Sequence, residues 1–188
     1  MYKNENFVDL AFQSGSEGRR DSQTGWQDFV GTVVAKKSIL DVGSGLGHSR
    51  ARLSRNGNII TLQEPAPDLE ADIKVGIEEI ENLSYDIVTC FDVIEHIPDD
   101  KTFMKNLFRI CKESLFITTP NFDVFGCQNK YHIREYKPHE LVELCSQFSN
   151  NVKYLVCPNT QGRNPQILEK EQFLTTKMPA LAAWLNKI

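Results

Sequence analysis

Residues 38–47 read SILDVGSGLG, and this stretch decides the fold. Its first half, up to Val42, is rich in aliphatic residues and predicts a strand. Gly43, Gly45 and Gly47 follow at alternate positions. Glycines placed directly after a strand allow the backbone to turn sharply and to approach a ligand closely. The stretch therefore predicts a strand, a ligand-binding turn and the start of a helix.

The spacing of these glycines argues against two kinds of phosphate site. A dinucleotide fingerprint reads G-x-G-x-x-G, and His48 stands where its third glycine would be. A phosphate-binding P-loop reads G-x-x-x-x-G-K-[S/T], which is absent. We therefore do not expect the turn to hold the phosphates of a nucleotide.

Strand-like and helix-like segments alternate from residue 38 onward, a pattern that predicts a parallel sheet with helices on both faces. The helix after the glycines is expected to end near Gly57. The run YDIVTCF has no polar alternation, which indicates a central strand covered on both sides. Asp99 and Asp100 can cap the following helix, and Pro138 can open a later one. Further strands are predicted at 58–63, 85–91, 115–118 and 152–157.

Composition excludes several classes of protein. Hydrophobic residues make up 40% and charged residues 24% of the chain, values of a globular rather than a disordered protein. The net charge of −4 argues against a general nucleic-acid binder, whose affinity comes mainly from lysine and arginine on phosphates. The five cysteines include no C-x-x-C pair, so we expect reduced, mostly buried thiols rather than a disulfide framework or a zinc ribbon.

The length of 188 residues fits a single domain over 1–188. We divide it into an N-terminal flap or helix (1–35), a core (36–157) and a C-terminal extension (158–188). The end of the extension, LTTKMPALAAWLNKI, is amphipathic enough for a helix, with Leu181, Trp184 and Leu185 as its apolar stripe. No apolar run approaches the roughly 20 residues that span a bilayer, so we expect a cytoplasmic protein. For its oligomeric state, both a monomer and a homodimer stay open.

The run ILDVGSGLG resembles motif I of the class I methyltransferases, which use S-adenosylmethionine. The resemblance covers roughly residues 36–157, and it implies an α/β fold: a three-layer sandwich with a mostly parallel, doubly wound central sheet. In that family the loop passes under the methionine part of the cofactor, whose sulfonium is positively charged, and Asp41 suits this charge. An acidic residue after the second strand holds the ribose hydroxyls, and Glu64 matches it. The matching loop residues are Gly43, Ser44, Gly45 and Gly47.

Two further segments are similar to motifs of the same family. YDIVTCFDVIEHIPDD resembles its fourth-strand motif, and LFITTPN resembles its fifth. By this resemblance Phe91 and Asp92 line the pocket near the methyl group. Members often carry an acidic residue after the third strand to hold the adenine, whereas this chain has KVGIE at 74–78. The adenine contact would then fall to the Ile77 backbone and Glu78.

Two histidines are candidates for a catalytic base. Transfer to a hydroxyl is helped by a base of near-neutral pKa, which histidine supplies. His96 follows the fourth-strand motif, and His132 lies in NKYHIREYKPHEL, which resembles an acceptor-pocket segment of methyltransferases acting on sugars, lipids and quinone-like acceptors. The resemblance implies a small-molecule or glycan acceptor, and the basic residues of this loop would allow an anionic group on it. His48 and His139 are interpreted as helix-start residues without chemistry.

Three alternatives stay open. D-V-I-E-H with a later histidine is similar to the metal-dependent RNA 3′-terminal 2′-O-methyltransferases, in which Asp92, Glu95, His96 and His132 would hold magnesium or manganese. A non-catalytic module that only binds S-adenosylmethionine is a second alternative. An oxidoreductase with a nicotinamide cofactor is the third, and the glycine spacing disfavours it.

Overall fold

A computed structural model describes residues 23–126, 129 and 131–187. The N-terminal 1–22 and Cys127, Gln128, Lys130 and Ile188 lie outside the described residues. The helices, numbered in chain order, are α1 (Thr24–Val33), α2 (Ser49–Leu53), α3 (Asp100–Ile110), α4 (Phe122–Phe125), α5 (Pro138–Ser146) and α6 (Lys170–Leu174). The strands are β1 (Ser38–Val42), β2 (Ile59–Gln63), β3 (Tyr85–Phe91), β4 (Cys111–Pro120), β5 (Val152–Cys157), β6 (Gln166–Leu168) and β7 (Ala180–Asn186).

These strands form one seven-stranded sheet in the order β2-β1-β3-β4-β7-β5-β6. The first four strands of that order are parallel to one another, and β7 is antiparallel to both β4 and β5. Helix α2 connects β1 to β2 and helix α3 connects β3 to β4, and the strand order confirms the predicted α/β fold with a mostly parallel, doubly wound sheet. The bounds of β1, β3 and β5 are those that the hydrophobic pattern predicts.

Helices cover both faces of the sheet, as a three-layer sandwich requires. One core cluster joins the sheet to α3, α5 and α6 through side chains such as Met104 and Leu141. The other joins it to α1 and α2 through Trp26, Val30 and Leu53, all fully buried. The described part of the predicted N-terminal flap or helix is therefore a helix packed on the sheet, whereas 1–22 lie outside the described residues.

The predicted C-terminal helix is wrong. Residues 180–186 form β7, which fills the gap between β4 and β5 with a ladder on each side. Ala182, Ala183 and Leu185 are fully buried, because a strand inside a covered sheet meets side chains on both faces. Trp184 donates its indole N–H to the Ser114 hydroxyl at 2.8 Å, which ties β7 to β4. Tertiary context here overrides the helix propensity of the alanines.

A second difference concerns the segment after β2. The family pattern places a third strand before Lys74, but the structure has only an isolated parallel bridge between Gln63 and Ile73. Two hydrogen bonds of Leu62 hold the chain at the position of that third strand. The Leu62 amide donates to the Asp72 carboxylate at 2.8 Å, and the Leu62 carbonyl accepts from the Ile73 amide.

The parallel strands end at one edge of the sheet, which is where open α/β folds bind ligands. Gly43 follows β1, Glu64 follows β2, Asp92 follows β3 and Asn121 follows β4. The predicted cap of α3 is confirmed at the start of that helix, where Asp99 accepts from the Thr102 amide at 3.0 Å.

The described cysteines are free and buried, in keeping with reduced thiols: Cys90, Cys111, Cys145 and Cys157. Among the helices in the described ranges, none combines the length and the apolar character needed to cross a bilayer.

Candidate active site

The glycine loop turns sharply at three left-handed positions. Gly43, Gly45 and Gly47 have φ of +67°, +55° and +74°, angles that residues with a Cβ rarely adopt. A Cβ on Gly43 would also lie 2.6 Å from a Val93 methyl group, so glycine is required there on two grounds. The loop is anchored by the Ser44 amide, which donates to the Gln63 carbonyl at 3.1 Å.

The Glu64 carboxylate bridges this loop to the turn after β2. One oxygen accepts from the Gly45 amide at 3.0 Å and the other from the Ala66 amide at 3.2 Å. Glu64 is only 8% exposed, so both carboxylate oxygens are held in place. This position beside the loop is the one that the ribose-binding prediction requires, and the ribose contact itself stays a prediction.

Asp41 lies buried in β1 directly before the loop. The Thr89 hydroxyl donates to it at 2.8 Å, and the residue is 2% exposed. Burial raises the pKa of Asp41 to about 6, and the nearby Glu64 carboxylate acts in the same direction. In the described part of the chain no cation pairs with this carboxylate, so a bound positive charge would favour its ionised form.

Asp92 occupies a strained position at the end of β3. Its φ is +50°, and its carboxylate accepts from the Thr118 hydroxyl at 2.6 Å and from the Gln23 side chain at 2.8 Å. Burial raises the pKa of Asp92. The other predicted pocket residue, Phe91, packs in the core with its ring 5.8 Å from that of Phe116.

The two residues proposed for adenine differ in their surroundings. Ile77 begins a short 3-10 turn, its side chain is buried in the core, and its carbonyl accepts from Arg109 at 3.0 Å. Glu78 is exposed in the same turn. Their contact with adenine stays a prediction.

His96 and His132 lie against each other, 36 residues apart in the chain, with ring centroids separated by 4.8 Å. His96 Nδ1 contacts the Tyr131 carbonyl at 2.9 Å. His132 Nδ1 contacts a Glu135 carboxylate oxygen at 2.7 Å. The structure thus brings both candidate bases to one place, at the carboxyl edge of the sheet.

A cavity of about 360 Å³ opens beside the His132 ring. Its volume falls within the range of small-molecule sites, about 300–1,000 Å³. Apolar side chains form much of its wall, and Asp92 connects it to the end of β3. The lining residues are Asp92, Pro120, Phe125, Asn129, His132, Glu135, Thr160, Pro179 and Ala180.

Glu95 completes a group with metal-ligand chemistry. Glu95, His96 and His132 each offer one ligand atom, and these atoms lie within 4.8 Å of one another. Glu95 is fully buried, and neither of its carboxylate oxygens has a hydrogen-bond partner among the described residues. Burial, with the charge of Asp92, raises the pKa of Glu95 well above its usual value. Of the four predicted ligands, Asp92 is not part of this group.

The described basic residues of the acceptor loop are engaged outside the cavity. Arg134 pairs with Asp100 at 2.5 Å, and the Lys137 ammonium lies 5.3 Å from the centre of the Phe122 ring. Neither lines the cavity, and Lys130 lies outside the described residues. Because both cations contact other groups and do not line the cavity, they no longer support the prediction of an anionic group on the substrate.

Three polar residues of the site were missed by sequence reasoning. Glu135 and Asn129 contact His132, and Gln23 reaches Asp92 across 69 positions. Glu135 could have been found, because it follows His132 by three residues in the acceptor segment. The two other histidines are exposed at helix starts, as expected: His48 before α2 and His139 in the first turn of α5.

Known proteins resemble the chain in sequence. A ubiquinone biosynthesis O-methyltransferase of Cupriavidus pinatubonensis is 31% identical over 116 residues, which cover 52% of this chain and 46% of that protein. The chain therefore spans about half the length of the curated relatives that it matches.

Solved structures resemble it in fold. A methyltransferase of Thermotoga maritima, described as a possible histamine N-methyltransferase, superimposes with a TM-score of 0.69 at 12% identity, over 97% of this chain and 99% of that one. A small RNA methyltransferase gives a TM-score of 0.67 at 15% identity, over 86% of this chain and 24% of that one. At such identities the likeness establishes the fold alone.

The family model described as a methyltransferase domain matches residues 18–164. This range includes the glycine loop, Glu64, Asp92 and both histidines of the site. Together with the sheet order and the solved structures of the same fold, the match identifies the chain as a member of the methyltransferase domain family, with the class I, S-adenosylmethionine-dependent fold.

Proposed function

We propose that this chain is an enzyme that moves a methyl group from S-adenosylmethionine to a hydroxyl on a small-molecule or glycan acceptor. The observation that carries the proposal is the position of the cavity. It extends from Asp92, directly after β3, to His132, so an acceptor in it lies between the cofactor edge of the sheet and a candidate base. S-adenosylmethionine supplies an activated methyl group, and the chain supplies alignment, exclusion of water and a proton acceptor.

The residues around the loop are suited to this cofactor. Asp41 is a buried carboxylate with a raised pKa, which a cationic ligand would stabilise in its ionised form. The Ser44 hydroxyl is buried without a hydrogen-bond partner in the described part of the chain, so it is available to a ligand. With the cofactor bound, Glu64 would accept hydrogen bonds from the ribose hydroxyls instead of from the Gly45 and Ala66 amides. Alignment of the bound reactants can by itself supply about 7–11 kcal/mol.

The acceptor is proposed from the cavity and from the relatives. Prolines and Phe125 give the cavity an apolar wall, and Asn129, His132 and Thr160 provide hydrogen-bonding groups. The relative from Cupriavidus is named as a ubiquinone biosynthesis O-methyltransferase, which favours oxygen as the methylated atom. His132 lines the cavity and His96 does not, so His132 is the better candidate for the base.

Calorimetry tests the cofactor half of the proposal. Wild-type protein is titrated separately with S-adenosylmethionine, S-adenosylhomocysteine and NAD, and only the first two should bind. Transfer of labelled methyl from S-adenosylmethionine to panels of hydroxyl and amine compounds then tests the acceptor. Absence of binding by both S-adenosylmethionine and S-adenosylhomocysteine would refute the function, and transfer to amines alone would refute the hydroxyl.

A second candidate function is metal-dependent transfer to the 2′-hydroxyl at an RNA 3′ end. The group formed by Glu95, His96 and His132 favours it, since one carboxylate and two imidazoles can hold a divalent transition metal such as manganese. Glu135 behind His132 and the Tyr131 carbonyl behind His96 are typical partners of metal-binding imidazoles. A bound divalent ion would supply positive charge that favours deprotonation of the acceptor hydroxyl.

Manganese binding and a chelator together distinguish the two candidates. The second candidate predicts that Mn²⁺ raises the melting temperature of wild-type protein and of the exposed control His139→Ala, but not of His96→Ala. It also predicts that a chelator abolishes transfer to a short RNA with a free 3′ end. No thermal shift with Mn²⁺, together with transfer that survives the chelator, would reject it.

A further inference from the structure

Asn129 shows which nitrogen of the His132 ring carries the hydrogen. The Asn129 side-chain oxygen accepts from the Tyr131 amide at 3.0 Å, and this contact fixes the orientation of the side-chain amide. Its NH₂ group then faces His132 Nε2 at 3.0 Å. Because an NH₂ group can only donate, Nε2 must be the unprotonated nitrogen of the neutral ring.

The other side of the ring gives the same answer independently. His132 Nδ1 lies 2.7 Å from a Glu135 carboxylate oxygen, and the two side chains are only 9% and 2% exposed. A carboxylate accepts hydrogen bonds, so Nδ1 donates to it. Both contacts therefore require the tautomer with hydrogen on Nδ1, and which ring nitrogen is protonated is set by such contacts.

We propose that Glu135 is a positioning residue, which holds His132 in the Nδ1–H tautomer so that its Nε2 lone pair accepts the proton of the acceptor hydroxyl. The proposal rests on the proposed function and specifies its base. The Asn129 NH₂ group donates to Nε2 as the acceptor hydroxyl would, so it occupies the place of that hydroxyl. Asn129 and His132 both line the cavity, so an acceptor hydroxyl in the cavity can replace the Asn129 NH₂ group as the donor to Nε2.

The proton and electron changes balance in a single displacement. The acceptor oxygen forms a bond to the methyl carbon, and the carbon–sulfur bond breaks with its electron pair remaining on sulfur. The hydroxyl proton moves to His132 Nε2, and the imidazolium is stabilised by the Glu135 carboxylate at Nδ1. His132 then returns the proton to solvent, which restores the starting tautomer.

His96 is less suited to this role, although it lies next to His132. Its Nδ1 donates to a backbone carbonyl, which has no negative charge to stabilise an imidazolium. It is also not among the residues that line the cavity. Among the histidines that the structure describes, only His132 both contacts a carboxylate through Nδ1 and lines the cavity.

Nitrogen NMR of the imidazole rings tests the proposal without any acceptor. ¹⁵N-labelled wild-type protein is examined at pH 8, with His132→Phe used to assign the His132 signals. The wild-type ring should show hydrogen on Nδ1, and so should Asn129→Ala, in which Glu135 still holds Nδ1. Glu135→Leu added to Asn129→Ala should lose this signature. The control Glu143→Leu, on the exposed side of α5, removes the same charge and should keep it. Glu135→Asp, which retains a carboxylate, should restore it at least in part.

Two results would overturn the proposal: an Nε2–H tautomer in wild-type protein, or an unchanged Nδ1–H tautomer when Glu135→Leu is added to Asn129→Ala. The wild-type spectrum needs no variant, so the first outcome is decisive even if Glu135→Leu does not fold. Calorimetry with S-adenosylhomocysteine on the same wild-type sample separates the two hypotheses. Failure of that binding would defeat the proposed function, whereas the tautomer assignment would stand or fall by the spectra.

Discussion

Replacing Asp41 by asparagine should make the unliganded protein more stable at neutral pH, although Asp41 belongs to the proposed cofactor site. Burial raises the pKa of this carboxyl from 3.8 to about 6, so ionised Asp41 destabilises the native state. The difference corresponds to about 3 kcal/mol at pH 7.5, since each pKa unit is worth about 1.36 kcal/mol. Asparagine keeps the oxygen that accepts from Thr89 and carries no charge.

The sign and the pH range follow from linkage. A carboxyl whose pKa is higher in the folded than in the unfolded state contributes stability below pH 3.8, and this contribution is lost as the pH rises through 6. The advantage of Asp41→Asn should therefore be about 3 kcal/mol at pH 7.5, about half of that at pH 5, and close to zero below pH 4. At pH 7.5 this corresponds to a rise in melting temperature of about 6–12 °C.

Urea unfolding of wild-type and Asp41→Asn protein at pH 5 and pH 7.5 measures the effect. Asp68→Asn is a suitable control, because Asp68 is exposed and its replacement should change little. The variant should bind S-adenosylmethionine at least tenfold more weakly, since the negative charge that attracts its sulfonium is gone. A variant that is less stable than wild type at pH 7.5, or a stability difference independent of pH, would show that Asp41 is not a buried, destabilised carboxylate.

Three further predictions concern the cofactor contact and the packing of the fold. Glu64→Ala should weaken S-adenosylhomocysteine binding more than tenfold in calorimetry, whereas Glu81→Ala, at an exposed position, should not; equal affinity in both variants would contradict the ribose assignment. Gly162→Ala should destabilise the fold by about 2 kcal/mol or more in urea, because the new Cβ would lie 2.3 Å from the Trp26 ring at a φ of +70°; an unchanged midpoint would refute this contact. Leu181→Ala should cost about 2–5 kcal/mol in the same assay, since the fully buried Leu181 belongs to the central β7; a loss below 1 kcal/mol would speak against a strand there.

The proposals share the geometry at the carboxyl edge of the sheet. The glycine loop, Glu64 and Asp92 follow three neighbouring strands, so their positions relative to one another are fixed by the ladders between those strands. The acceptor cavity, in contrast, takes Asn129, His132 and Thr160 from loops. Loops vary more freely than the strands that position them, which is why one cofactor half-site can serve many acceptors.

Features encoded locally could be predicted from the sequence alone. The strand before the loop, the three glycines and the apolar run of β3 each depend on residues a few positions apart, because backbone preferences and hydrophobic periodicity are local properties. Glu64 and Asp92 could be placed because strand ends at one edge of a parallel sheet lie close together. The N-terminal half of the fold and the cofactor side of the site could therefore be predicted from the sequence.

Only the tertiary structure decided what depends on distant segments meeting. Residues 180–186 become a strand because β4 and β5 each present backbone hydrogen-bonding groups to this segment. The pattern of apolar residues within the segment does not reveal these two neighbours. Gln23 and Asp92 meet across 69 positions, and the two histidines meet because the acceptor loop folds back over the end of β3. The chain's local pattern specifies which residues can do chemistry, and the packing of its loops determines which of them act together.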